Sequence, residues 1–188
     1  LAGPDAELEP QAIFNYLFFH CIPAPLTIFK GVFRLPAGHY AWFDGSRLTV
    51  KPYWVPAFAE APGAARFDEL KAEFRTLVQA AVARQLDGST PACFLSGGTD
   101  SSTVAGMVGM AAGQPAHTYS IGFEAEGYDE MAFARIAAKR FKTVHHEYYV
   151  TPDDLVRSIS HVACHYDQPF GNSSALPAYY CAKVAHDN

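Results

Sequence analysis

An α/β architecture with a parallel sheet is implied by the order of apolar segments after residue 66. Short apolar runs at 91–95, 117–123 and 144–150 alternate with stretches of helical periodicity. Strands that alternate with helices of ten to fifteen residues build βαβ units. A glycine pair, Gly97-Gly98, punctuates the first strand-to-helix junction. A shift in composition at 57–65 (AFAEAPGAA), rich in small residues and holding a Pro-Gly turn, sets this part off from what precedes it. The expected organisation is therefore a joining region at 1–56, a linker at 57–65 and one domain over 66–188.

Residues 10–20 read as a short helix, and Ile22-Pro23-Ala24-Pro25 breaks the chain because proline lacks the donor a helix needs. Two extended runs, His39 to Phe43 and Leu48 to Tyr53, flank Asp44-Gly45, a hairpin signal. The front part is thus a helix plus a β-hairpin. Beyond the linker, Phe67, Leu70, Phe74, Leu77, Val78, Ala81 and Val82 recur at helical spacing and predict a long amphipathic helix. Pro91 to Leu95 predicts a buried strand and 100–112 a helix. His117 to Phe123 and Val144 to Val150 predict two more strands. Helices are predicted at 129–141, 153–165 and 175–186. Ligands of open parallel sheets gather outside the carboxyl ends of the strands, so the residues just after Leu95 and Ile121 are the place to look.

The 188 residues are 49% hydrophobic and 18% charged, a globular composition. The net charge is −5 and the 14 basic residues are scattered, with Lys139-Arg140 the tightest pair. Phosphate neutralisation along a nucleic acid needs clustered Lys and Arg, so that partner is not expected. The best apolar run, Ala12 to Ile22, is interrupted by Asn15 and His20 and falls short of a bilayer span. Four cysteines, Cys21, Cys93, Cys164 and Cys181, are widely spaced without a Cys-x-x-Cys pair. They are expected to be reduced, buried thiols of a cytoplasmic protein.

The segment Leu95-Ser96-Gly97-Gly98-Thr99-Asp100-Ser101-Ser102 joins a predicted strand to a predicted helix. A helix start carries unpaired N–H groups and about half a positive charge. Two glycines remove side chains that would hold an anion off the backbone, and the hydroxyls add donors. No lysine lies near Gly98 to make a Walker A loop, and neither G-x-G-x-x-G nor G-x-S-x-G is present. Asp100 is informative. A carboxylate beside a polyphosphate is repulsive unless a cation lies between them, so Asp100 either caps the helix or helps hold Mg²⁺. The plain alternative is a Ser- and Gly-rich turn without a ligand.

That octapeptide resembles the PP-loop of the ATP pyrophosphatase superfamily. More narrowly, it resembles the synthetase domain of class II glutamine amidotransferases of the asparagine synthetase type. Three further stretches carry the resemblance: Tyr119 to Glu124 (YSIGFE) with Tyr128-Asp129-Glu130, Val144-His145-His146-Glu147, and Asp167 to Pro177 (DQPFGNSSALP). Pro25 to Gly31 (PLTIFKG), Leu35 to Gly38 (LPAG) and Tyr53-Trp54 resemble the stretch that joins the glutaminase and synthetase domains of that family. The resemblance spans about residues 10–188. It implies a parallel-sheet PP-loop fold, truncated, with an N-terminal helix and hairpin extension.

It also implies ATP and Mg²⁺ as ligands and AMP-forming ligation. A carboxylate such as aspartate is activated as an acyl-adenylate and amidated by ammonia from glutamine. By position, Ser96, Gly97, Gly98, Asp100 and Ser101 would hold pyrophosphate, with Asp100 on the metal. Leu95 and Ile121 would flank adenosine, and Gly122 would permit close approach. No catalytic residue is assigned. The family's glutaminase half begins with a cysteine nucleophile, whereas the first cysteine here is Cys21. The chain begins with Leu1, not Met, and ends at Asn188, ahead of the family's second acidic loop (S-G-[DE]-G-x-D-E) and lysine. The expectation is a part of a longer protein, without turnover of its own, whose uncovered sheet edge drives self-association into a homo-oligomer. A β-lactam-forming or biosynthetic-cluster relative, and a non-catalytic nucleotide-binding module, are the rival readings.

Other residues are read as structural. His161, Cys164 and His165 share a helix but point away from its stripe of Leu155, Ile159, Val162 and Tyr166, which makes them surface groups. His145 and His146 face opposite sides of a strand, whose end is expected near the substrate pocket. Gln168 stands where many relatives have Glu.

Overall fold

Strand and helix boundaries follow from local chemistry. The computed structural model describes residues 6–58, 66–124 and 129–188. Most of the linker's small-residue run and Tyr128 lie outside the described residues. The chain forms two compact units, Leu1–Pro62 with His161–Ser173 and Gly63–Ser160 with Ser174–Asn188.

In the first unit, α1 (Pro10–Phe19) starts on a proline, whose missing N–H costs nothing there, and Glu9 accepts from the Gln11 N–H. It stops at His20 in the left-handed region, φ 58°. Strands β1 (His39–Phe43) and β2 (Leu48–Pro52) pair antiparallel, His39 opposite Pro52 and Phe43 opposite Leu48. The Asp44 carboxylate closes their turn by accepting from the Ser46 and Arg47 N–H groups at 2.9 and 2.8 Å. Gly45 takes φ +96° there. Residues 161–173 belong to this unit. The Ile28 N–H donates to the Gln168 side-chain oxygen at 2.9 Å, and the Gly171 N–H donates to the His20 carbonyl. Gln168 thus acts as a backbone clamp on the 26–29 segment.

The second unit carries the parallel sheet. Its strands are β3 (Ala92–Phe94), β4 (His117–Phe123) and β5 (Val144–Val150), in the order β3-β4-β5. Helix α2 (Phe67–Ala83) precedes β3, α3 (Thr99–Ala112) links β3 to β4, and α4 (Met131–Phe141) links β4 to β5. Helices α5 (Pro152–Ala163) and α6 (Ala175–Asp187) follow. Successive strand residues face opposite sides, and the partners tell which helix covers which side. Arg135 of α4 reaches Glu147, while Tyr180 of α6 stacks on Tyr148 at 5.7 Å. Helices α4 and α6 therefore cover opposite faces. Among the described residues no strand pairs with the outer edge of β3 or of β5.

The core of this unit is small: Leu95, Ala105, Met131, Ala134, Ala137 and Ala138, with Cys93 and Tyr149 against it. Alanines let α3 and α4 approach the sheet closely. The stripe predicted to bury α2 does not do so among the described residues. Phe67, Leu70, Phe74 and Leu77 are all at least half exposed, and the helix holds no buried residue. The expectation of buried cysteines is also corrected in part: all four are free thiols, but Cys21 and Cys164 are exposed. Among the described residues no helix is long and apolar enough to cross a membrane.

Candidate functional site

The site grows from the point where the chain leaves the sheet. Beyond β3, the Leu95 N–H donates to the Tyr119 carbonyl at 2.9 Å, and the Leu95 carbonyl accepts the Ser120 hydroxyl. From Ser96 the backbone turns toward α3. Ser101 is the hub of that turn. Its oxygen accepts the Ser96 N–H at 3.2 Å, lies 2.9 Å from the Ser96 hydroxyl, and its own hydroxyl donates to the Gly98 carbonyl. The Ser96 oxygen in turn accepts the Gly98 N–H at 3.3 Å. These two hydroxyls hold the loop together.

Gly98 is the N-cap of α3 and supplies no side-chain bond. Among the described residues, the N–H groups of Gly97, Thr99, Asp100 and Ser101 have no acceptor. They are the orphan donors of a 14-residue helix, where the helix dipole adds positive potential. Such an array takes anions.

The two glycines serve different ends. Gly97 has φ +84°, and a β-carbon there would lie 2.4 Å from the Ala134 nitrogen and 2.5 Å from the Phe133 carbonyl carbon. The absent side chain there lets the loop pack against α4. At Gly98 the nearest atom to such a carbon is the Ser96 hydroxyl at 3.4 Å, so that position stays open. At Gly122 a β-carbon would sit 2.6 Å from the Tyr149 ring, which packs over that position.

Asp100 is exposed in the first turn of α3, and its carboxylate has no partner among the described residues. Of the two roles read from the sequence, capping is not the one adopted, because no side chain caps this helix. A free carboxylate in the same turn as unpaired amides has the donor chemistry of a magnesium ligand.

Beside the loop is a cavity of about 430 Å³. Leu95, Ser96, Ser101 and Ile121 line it, as do Tyr119, Phe123, Met131 and three residues of α6, Pro177, Ala178 and Cys181. Leu95 and Ile121 thus line the same cavity. Gly97, Gly98, Asp100 and Gly122 lie outside its lining. Of the α6 residues only Pro177 falls in a stretch that carries the resemblance; Ser120, in YSIGFE, and Cys181, one of the four thiols, also line the cavity without a site role legible in the sequence. Burial pushes the Cys181 thiol up to about 11, and its S–H points at the Tyr119 carbonyl, 3.8 Å away.

The histidines occupy the start of β5, not its end. His145 pairs with Thr118 in register, and its Nδ1 lies 2.9 Å from the Thr118 hydroxyl. Its Nε2 is buried and lacks a hydrogen bond, 3.5 Å from Glu147. Burial holds this imidazole below its ordinary range. The Arg135 guanidinium grips Glu147 at 2.8 and 2.6 Å and holds its carboxyl down. On the other face His146 stacks on Tyr119 at 4.8 Å and meets His117 Nδ1 at 3.2 Å. His165 Nδ1 sits 2.8 Å from the His161 carbonyl of its own helix turn.

Known proteins resemble the chain as follows. A putative glutamine-hydrolysing asparagine synthetase of Methanocaldococcus jannaschii is 33% identical over 95% of this chain and 35% of its own length. One of Mycobacterium bovis is 29% identical over 98% of this chain and 29% of its own length. The chain therefore spans about a third of these relatives. A solved ammonia-dependent NAD synthetase of Campylobacter jejuni is a distant likeness, with TM-score 0.39 and 11% identity over 65% of this chain and 50% of that one. The profile described as asparagine synthase matches residues 73–188, which include the loop, the sheet and the cavity, and the chain belongs to that family.

Proposed function

We propose that this chain binds ATP as the nucleotide-holding part of an AMP-forming amide ligase of the asparagine synthetase type. The pyrophosphate lies on the free amides of Gly97, Thr99, Asp100 and Ser101, with Ser96, Gly98 and Ser101 shaping the turn. Asp100 is the ligand for Mg²⁺, which supplies positive charge to the departing pyrophosphate. Leu95 and Ile121 flank the adenosine in the apolar cavity. Residues 1–56 serve as the joining region and 66–188 as the first part of the synthetase domain.

In the reaction of the whole protein, a substrate carboxylate oxygen attacks the α-phosphorus of ATP and the bond to pyrophosphate breaks. The nitrogen of ammonia, drawn from glutamine, then attacks the acyl carbon, and the bond to AMP breaks. Aspartate is the carboxylate this reading names. The open edge of the seven-residue β5 favours self-association, which light scattering at high concentration tests.

One observation carries the reading: unpaired amides at the start of a long helix, beside a cavity lined by Leu95 and Ile121. Calorimetric titration of ATP, with and without Mg²⁺, into the chain and into Asp100→Ala tests it. Magnesium-dependent binding that the variant loses is expected. Equal weak uptake in all arms contradicts it and favours the non-catalytic module.

A further inference from the structure

We propose that Ser120 is a positioning residue for the anion loop, a role that rests on the pyrophosphate reading above. The β3-β4 ladder pairs Ala92 with His117, Cys93 with Thr118 and Phe94 with Tyr119. One further bond runs from the Leu95 N–H to the Tyr119 carbonyl. Continued regularly, a parallel ladder next gives the Leu95 carbonyl the Ile121 N–H. Among the described residues that bond is not made; the Ser120 hydroxyl donates to the carbonyl instead. The hydroxyl thus takes over where the backbone peels off the sheet.

Both groups are buried, with Ser120 3% and Leu95 2% exposed, and both lie in the wall of the cavity. On the far side of Ser96, the Gly97 backbone is locked against Ala134 and Phe133. The turn is therefore clamped at Leu95 by Ser120 and at Gly97 by α4, with one residue between the clamps. The amides of the first turn of α3 inherit their direction from that geometry. Without the hydroxyl, a buried carbonyl lacks its donor. The nearest repair is closure of the ladder to the Ile121 amide, which draws Leu95 back into the sheet and tilts the loop. Ile121 stays within β4, so the tilt displaces the amides at the start of α3 more than the cavity wall.

The role therefore separates two affinities. Pyrophosphate and adenosine are titrated calorimetrically, each alone, into the full chain, Ser120→Ala, Ser120→Thr and Ser120→Val. Thr and Val have nearly equal volume and differ in the hydroxyl, so any cost of bulk at this buried site cancels between them. The expected result is pyrophosphate affinity about tenfold weaker in Ala and Val, the scale of a lost buried hydrogen bond. Thr should retain the unsubstituted chain's affinity, and adenosine binding should be alike in Thr and Val, since Ser120 lies in the cavity wall and only their shared bulk would affect it. Equal pyrophosphate affinity in Thr and Val overturns the role. So does a parallel loss of both ligands in Ala, which marks general destabilisation. If the unsubstituted chain binds neither ligand, the nucleotide reading itself fails and this role with it.

Discussion

The α-carbon of Gly97 faces the backbone nitrogen of Ala134 so closely that a β-carbon would lie 2.4 Å from it. The loop and the first turns of α4 are thus one packed unit, joined through a residue at φ +84°. Gly97→Ala should cost about 2–4 kcal/mol, the sum of a left-handed non-glycine residue and backbone overpacking. Gly98→Ala, at φ −68° with nothing nearer than 3.4 Å, should cost under about 1 kcal/mol. Urea unfolding of the pair checks this; equal losses would contradict the packing role.

The Ser101 hydroxyl serves three groups of the turn: the Ser96 N–H, the Ser96 hydroxyl and the Gly98 carbonyl. Ser101→Ala should lower stability by only about 1 kcal/mol, because the site is partly exposed. Pyrophosphate affinity should fall further than that cost implies, since three bonds that shape the cradle go together. Calorimetry beside thermal unfolding separates the two effects. Unchanged affinity would show that the turn keeps its shape without the hub.

Acid should loosen the sheet in two stages. Burial keeps His145 below its ordinary 6.5, against the opposing pull of Glu147 and with His146 and Arg135 adding to the depression. Above about pH 6.5 folded and unfolded chains are both neutral there, and stability does not change on its account. Below it the unfolded chain gains a proton that the folded one resists, so stability falls. Glu147, held below its ordinary 4.5 by Arg135, adds a second loss as the pH drops further. Melting temperature against pH should show the first decline in the native chain and a shallower one in His145→Gln. Identical slopes would remove His145 as the cause.

Thiol reactivity should divide the cysteines by burial. Cys93 and Cys181 are pushed up to about 11, while Cys21 and Cys164 are exposed. At pH 8 the folded chain should titrate two thiols rapidly with an aromatic disulfide reagent, and all four after denaturation. Rapid reaction of Cys181 in the folded chain would contradict closure of the cavity wall by α6.

Local pattern made much of this fold legible. The strands His39–Phe43, His117–Phe123 and Val144–Val150 occupy the residues their apolar runs indicate. Helix α4 begins at Met131, not residue 129; Glu130 is its N-cap, and the Asp129 carboxylate just ahead accepts the Met131 N–H at 3.3 Å. Periodicity identified α2 but not what its phenylalanines meet, since period reports a face and not its cover. At the site, a glycine signals a close approach without naming the neighbour. For Gly122 that neighbour is Tyr149, on the adjacent strand. The bond from Ser120 to Leu95 joins residues 25 apart, and no local pattern in the sequence announces it.

Amide chemical shifts provide the most direct check on the anion cradle. Magnesium pyrophosphate is titrated into the ¹⁵N-labelled chain, and the spectrum is followed residue by residue. The N–H resonances of Gly97, Thr99, Asp100 and Ser101 should move together and saturate, with those of β1 and β2 unmoved. Saturating shifts centred elsewhere, or none at the start of α3, would contradict the claim that these amides hold the phosphates.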